Sequence, residues 1–340
     1  MKLNFEQIKA ISTGAVRFEE DESGIKLYRY TKEQEKLYED THEEFFHKSK
    51  QTAGIKLVFR TNSTSLTLKT KIILEPNTLQ RSRQYFSFDV FVNGEAVGYL
   101  DCFDDIENMD DYINIQLLHG DYEKDFQLGA GEKVVHIYLP WGVQPIIQEI
   151  SLDDGAFVEP VKAKKTLLAF GDSITQGYDA MRSSNSYVAR LARYLEADET
   201  NKAIGGECIF PALAETKEDF EPDYITVAFG TNDWSKKSRD VFQVNSKAFY
   251  QVLRKNYPNT PIYAITPIWR ADGQKEVEFG LFEDVEKDIR EAVKGIDNLT
   301  VIRGYDLVPK DTSYFADLRL HPNDKGFEEY FENLKKEIKY

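Results

Sequence analysis

The hydrophobic pattern of this chain changes period near residue 160, so a single layer type cannot accommodate it. Before that point the apolar residues alternate: Ile55-Lys56-Leu57-Val58-Phe59-Arg60, Ser65 to Lys71, Tyr85 to Val92 and Val134 to Leu139 all read with period two. Alternation with β-branched and aromatic enrichment specifies half-buried strands. Asn93-Gly94 lies between two such runs and is the signature of a two-residue hairpin turn. Residues 1–160 are therefore expected to form an all-β sandwich domain. After residue 164 short apolar runs, Thr166 to Phe170, Tyr224 to Phe229 and Ile262 to Thr266, are each followed by loop and helix-like sequence. Buried strands alternating with helices imply a parallel sheet covered on both faces, an α/β domain over residues 161–340. The junction is expected within 155–165, and a last helix over 324–339, with Asn323 or Asp324 as N-cap behind Pro322.

Charge and composition narrow the function classes. The net charge of −15 opposes a nucleic-acid partner held through phosphates. Most of it lies in residues 1–160, notably from Asp101 to Asp111, which also disfavours docking on anionic membranes. No run reaches the roughly 18 to 20 apolar residues of a membrane span. The opening MKLNFEQIKA has no apolar signal region, so a cytoplasmic location is expected. The two cysteines, Cys102 and Cys208, supply neither a disulfide framework nor a four-ligand metal site, and His42, His47, His119 and His136 show no ligand spacing. No metal and no cofactor are implied. Self-association is left open.

In an open parallel sheet, ligands bind beyond the carboxyl ends of the strands. Three loops there carry unusual residues. Gly171-Asp172-Ser173-Ile174-Thr175-Gln176-Gly177 places a serine between a strand and a helix start, where a backbone N–H faces a developing anion. Phe229-Gly230-Thr231-Asn232-Asp233-Trp234 offers the Asn232 amide as a donor, and Gly205-Gly206 between the two permits close backbone approach. Leu320-His321-Pro322-Asn323-Asp324 holds the only histidine of residues 161–340, hence the one imidazole candidate for a general base in that domain.

These four blocks, in this order, resemble the SGNH (GDSL-type) hydrolases over roughly residues 164–340. The resemblance implies a flavodoxin-like three-layer αβα domain and ester hydrolysis through an acyl-serine. Carried over by position, Ser173 matches the nucleophile and His321 the base, and the N–H groups of Ser173 and Gly206 with the Asn232 amide match the oxyanion hole. An imidazole that removes the serine proton and returns it to the leaving alcohol is the chemistry such a pair performs. One position departs: the family's acid stands three residues before the histidine, where this chain has Leu318. Either a one-residue bulge brings Asp317 to the ring, or a backbone carbonyl orients a dyad.

Taken alone, Ser173 would read as a helix cap. Asp172 and Asp233 are expected to hold their loops by local hydrogen bonds. Trp234 and Trp269 follow predicted strands on the same side and are candidate sugar-stacking residues, although a buried aromatic is the commoner state. A β-sandwich before an SGNH domain is similar to several carbohydrate esterases with an N-terminal jelly roll. This favours O-acetyl groups on oligosaccharides, or another small ester, as the substrate. A lipolytic esterase and a non-catalytic glycan-binding protein remain as alternatives.

Overall fold

The computed structural model describes residues 1–73, 85–103 and 119–339. Asp104–Asp111 of the acid-rich stretch lie outside the described residues. The chain divides into two compact units: residues 1–31, 46–163 and 181–184 in the first, 32–45, 164–180 and 185–340 in the second.

In the first unit the strands are β1 (Ser12–Thr13), β2 (Arg17–Asp21), β3 (Gly24–Tyr28), β4 (Lys56–Thr61), β5 (Ser65–Ile72), β6 (Ser87–Val92), β7 (Glu95–Asp101), β8 (Gly120–Gln127), β9 (Lys133–Tyr138), β10 (Pro145–Leu152) and β11 (Glu159–Pro160). They form two antiparallel sheets, β1-β4-β9-β6-β7 with β11 beside β4, and β2-β3-β10-β5-β8. Alternation determines which side chains turn inward. Along β5, Leu66, Leu68, Thr70 and Ile72 are buried, and the residues between them are partly exposed. Leu57, Phe59, Val90 and Ile137 of one sheet share an apolar cluster with Leu27, Leu66, Leu68 and Ile150 of the other. Each such side chain contributes about 1.5–3 kcal/mol through burial. The β6–β7 turn is the one the sequence specifies. Asn93 and Gly94 have φ of 51° and 90°, the pair of positive values that a two-residue turn of this twist requires.

The loop Met181–Ser184 belongs to this unit by its contacts. Arg182 donates to Ser87 at 2.9 Å and to Asp101, and its guanidinium stacks 3.8 Å from the Tyr99 ring. The Ser184 N–H donates to the buried Asp89 at 2.9 Å. Helices Phe5–Ile11, Lys32–Thr41 and Glu43–Ser49 lie in a region expected to be all strand. Lys32–Thr41 has only Leu37 and Tyr38 as apolar residues, too few to register as a helical stripe.

In the second unit β12 (Lys165–Gly171), β13 (Ala197–Ala203), β14 (Tyr224–Ala228), β15 (Ile262–Ile265) and β16 (Leu299–Ile302) form a parallel sheet in the order β13-β12-β14-β15-β16. The order reverses at β12, where sequence runs outward both ways, and this is the switch point at which open sheets bind ligands. Ser186 caps helix Tyr187–Tyr194 by accepting from the Ala189 N–H. Asn323 caps helix Asp324–Leu334 through the Gly326 N–H. That helix stops at Leu334, short of the expected Lys339, because the chain tightens there: Lys336 and Glu337 donate three residues back. No described helix is long and apolar enough to cross a membrane.

Helix Lys32–Thr41 is held in this unit by a buried polar trio. Lys202 Nζ lies 3.0 Å from Glu218 Oε1 and donates to Gln34 Oε1 at 2.9 Å, and Gln34 donates to Glu218 at 2.7 Å. Removing one member of a buried, hydrogen-bonded ion pair typically costs about 3–5 kcal/mol, because its partner is left charged without compensation. Lys202→Met is expected to lower unfolding stability by that amount in a denaturant titration. A loss under about 1 kcal/mol would show that the pair carries no such weight.

Candidate active site

The sheet register builds the site. Gly171, the last residue of β12, is paired with Ala203 of β13 and with Ala228 of β14. Neighbouring strands stand about 4.8 Å apart, so the loops that follow leave the sheet side by side. They are the serine loop, the Gly205-Gly206 loop and the Asn232 loop. Hydrogen bonds then tie them together: Asn201 Nδ2 donates to the Thr175 carbonyl at 2.8 Å, the Gly205 N–H to Gln176 Oε1 at 2.7 Å, and the Ile209 N–H to Asp233 Oδ1 at 3.1 Å.

Ser173 opens the short helix Ser173–Gln176, with Asp172 as N-cap accepting from the Ile174 N–H at 3.0 Å. Ser173 is 5 % exposed, and its Oγ lies 2.9 Å from His321 Nε2. His321 Nδ1 lies 2.9 Å from Asp317 Oδ2. A carboxylate only accepts, so Nδ1 carries the proton and Nε2 is free to accept from the serine hydroxyl. The carboxylate four residues before the histidine thus reaches the ring. The extra residue is absorbed by Leu318, which adopts φ of 54° and points outward at 51 % exposure. Asp317 Oδ1 accepts from the N–H groups of Arg319, Leu320 and His321 at 2.9, 2.6 and 3.0 Å. Burial alone would raise the Asp317 pKa. The hydrogen bond and charge of His321, with the backbone donors, outweigh it and hold the carboxyl well below the usual carboxylate range.

Gly206 has φ of 90°, a left-handed conformation that favours glycine. Its carbonyl accepts from Lys236 Nζ at 2.6 Å. Asn232 donates one amide hydrogen to the Glu207 carbonyl at 3.0 Å, which orients the amide and leaves its second hydrogen available. Asp172 and Asp233 act as the loop anchors expected of them. Burial pushes Asp172 up to about 6 and Asp233 up to about 7, the latter also by repulsion from Asp172. Cys208 lies near the glycine loop, but burial pushes its thiol up to about 12, which makes it a poor nucleophile at neutral pH.

Trp234 does not bind substrate through its ring. It is 1 % exposed, donates from Nε1 to the Gly280 carbonyl at 3.0 Å, and packs edge-on against Phe282 under the Arg270 guanidinium. Helix Thr231–Lys236 turns it into the core, and no face remains for a sugar. Trp269 is half-buried against Phe315 and lines a cleft of about 360 Å³ with Arg270, Phe282, Glu286, Arg303 and Tyr305. Its residues come from the segments that follow β15 and β16, at the same end of the sheet as Ser173.

Two residues beside His321 had no signal in the sequence. The Tyr178 ring lies 4.8 Å from the imidazole. Asp179, fully buried with φ of 68°, places Oδ2 3.8 Å from Nδ1. Asp179, Asp317 and His321 offer ligand atoms within 4.8 Å of one another, a grouping able to hold a metal ion, but with Nδ1 already engaged by Asp317.

Two outcomes follow from this geometry. Asn232→Ala is expected to lower kcat on an ester by about 10²–10³ with little change in KM, and an unchanged kcat would remove Asn232 from the anion site. The folded protein holds the Asp233 proton to about pH 7, whereas an unfolded chain releases it near pH 4. Stability present at about pH 4 is therefore lost as pH rises towards 7. Asp233→Asn keeps the acceptor for the Ile209 N–H and should flatten that decline in denaturant midpoint; a slope equal to wild type would contradict the raised pKa.

Residues 169–328 match the GDSL-like Lipase/Acylhydrolase family. No curated protein has a matching sequence. Among solved structures, a salicylyl-acyltransferase, SsfX3, from a tetracycline biosynthetic pathway is 22 % identical with a TM-score of 0.79, over 96 % of this chain and 93 % of that one. A GDSL-like lipase from Bacteroides ovatus is 21 % identical with a TM-score of 0.76, over 99 % and 96 %. A family two carbohydrate esterase from Clostridium thermocellum, solved with cellohexaose, is 16 % identical with a TM-score of 0.65, over 96 % and 98 %. At these identities the structures share the fold with this chain over nearly its whole length. Residues 169–328 are a GDSL-like lipase/acylhydrolase domain, which supports a carboxylic ester hydrolase.

Proposed function

We propose that this enzyme removes O-acetyl groups from oligosaccharides. Ser173 attacks the ester carbonyl while its proton passes to His321 Nε2. The resulting oxyanion is met by the N–H groups of Ser173 and Gly206 and by the Asn232 amide. His321 then gives the proton to the leaving sugar hydroxyl, and a water activated by the same ring releases acetate. The observation that carries the ester chemistry is the unbroken chain from Ser173 Oγ through His321 to Asp317, at 2.9 Å in both links.

The choice of a saccharide is supported by the cleft at Trp269. An aromatic face beside Arg303, Glu286 and Tyr305 suits a polar ring with hydroxyls more than an acyl chain. The two sheets of the first unit, sharing one apolar cluster, support the reading of a jelly-roll-like sandwich domain. The carbohydrate esterase of like fold agrees with this substrate class. An alcohol in place of water in the second step would make the same site an acyltransferase, the activity named for another structure of like fold.

Acetate release from acetylated xylo-, manno- and amino-sugar oligomers is expected with the wild type and is expected to be lost with Ser173→Ala. A preference for long acyl chains in a series of 4-nitrophenyl esters would replace this reading with a lipolytic one. Serine-directed phosphonate that fails to label Ser173 would point to a non-catalytic glycan-binding protein.

A further inference from the structure

We propose that Asp179 is a second acid for His321, a positioning residue that stabilises the imidazolium alongside Asp317. This rests on ester hydrolysis at Ser173. The geometry is unusual in that two carboxylates face one nitrogen. Asp317 Oδ2 makes the hydrogen bond to Nδ1 at 2.9 Å, and Asp179 Oδ2 stands at 3.8 Å, too far for a hydrogen bond and close enough for a strong charge interaction.

The two acids differ in what surrounds them. The Asp317 charge is shared among three backbone N–H groups and the ring, which fix the tautomer and the orientation of the histidine. Asp179 is fully buried, where the attraction between a carboxylate and an imidazolium would be screened least. When the Ser173 proton moves to Nε2, the ring becomes a cation, its Nδ1 proton stays in place, and no proton passes to either acid. The attraction of Asp179 for that cation exists only once the proton has moved. It lowers the barrier and leaves the ground state nearly unaffected, so its signature is in kcat and not in KM. The backbone is built for this position: Gly177 ends the serine helix in a left-handed turn, and Asp179 follows at φ of 68°. Asn tolerates that conformation as well as Asp does, which makes Asp179→Asn a conservative probe.

Asp179 also gives the chain a reserve. Where one acid alone holds the catalytic histidine, its amide variant typically loses about 10⁴ in kcat. Here Asp317→Asn should lose only about 10²-fold, and the double variant the full ~10⁴. Among the described residues, the charged and titratable groups facing the ring are Asp317 and Asp179 at Nδ1, Ser173 at Nε2, Tyr178 on the ring face and, more remotely, Asp172.

The test uses the full chain with 4-nitrophenyl acetate, a probe that does not depend on saccharide preference, and with a fluorophosphonate that labels Ser173. Asp179→Asn is expected to lower kcat and the labelling rate about 10-fold at constant KM, and to move the acid limb of kcat/KM to lower pH. A merely structural role would lower the melting temperature and leave the limb in place. Residual activity of Asp317→Asn that persists unchanged on adding Asp179→Asn would overturn the proposal in favour of a carbonyl-held dyad. Should Asp179→Asn fail to fold, Asp317→Asn alone decides, since a ~10⁴ loss in that variant leaves no role for a second acid. Wild-type labelling of Ser173 without hydrolysis of acetylated oligosaccharides would tell against the substrate reading alone.

Discussion

The pairing of Gly171 with Ala203 on one side and Ala228 on the other is the constraint from which the active site follows. Parallel strands in register end together, so the loops after Gly171, Ala203 and Ala228, far apart in sequence, start side by side, each of the outer two one strand spacing from the central serine loop. The glycine loop is tied to the serine helix through Gln176, and the Asn232 helix to the glycine loop through Asp233 and the Glu207 carbonyl. Buried carboxyls serve here as acceptors for backbone N–H groups. Their raised pKa values record what it costs to keep them away from water.

The histidine comes from a different part of the chain and is positioned by different means. Residues 315–322 fold back on themselves, with the Ala316 N–H donating to the His321 carbonyl at 2.8 Å and Phe315 bridged to Pro322. Within that turn one side chain, Asp317, satisfies three backbone donors and the imidazole together. An acid four residues before the histidine reaches the ring, because Leu318 takes up the extra residue at an exposed left-handed position. The role is defined by where the carboxylate ends, not by its count in sequence.

Polar burial recurs at the edge of the sheet. β13 is an outer strand of polar composition, Ala-Asp-Glu-Thr-Asn-Lys-Ala, yet Glu199, Asn201 and Lys202 are all buried. Asn201 bonds Glu199 and the Thr175 carbonyl, and Lys202 joins Glu218 and Gln34. The strand that carries the glycine loop is therefore held by specific pairs in place of an apolar face. A helix from the N-terminal part of the sequence supplies one of the partners.

By itself the sequence determined what rests on periodicity and local chemistry. Alternating runs such as Ser65 to Lys71 gave strands, Asn93-Gly94 gave the turn, apolar runs ahead of helices gave β12, β14 and β15, and Asn323 gave the cap of the last helix. Ser173, Gly206 and Asn232 were legible as candidates because each stands in a short block after a strand, and His321 because it is the only histidine of residues 161–340. Tertiary structure decided whatever depends on partners distant in sequence. It made β13 a strand despite its polarity, moved helix Lys32–Thr41 into the second unit, and buried Trp234 while leaving Trp269 on a cleft. It also chose Asp317 over a carbonyl and brought Asp179 to the same ring. Spacing along the chain reports only neighbours within a turn or a strand, whereas burial and charge compensation are set by groups that meet only when the sheet closes.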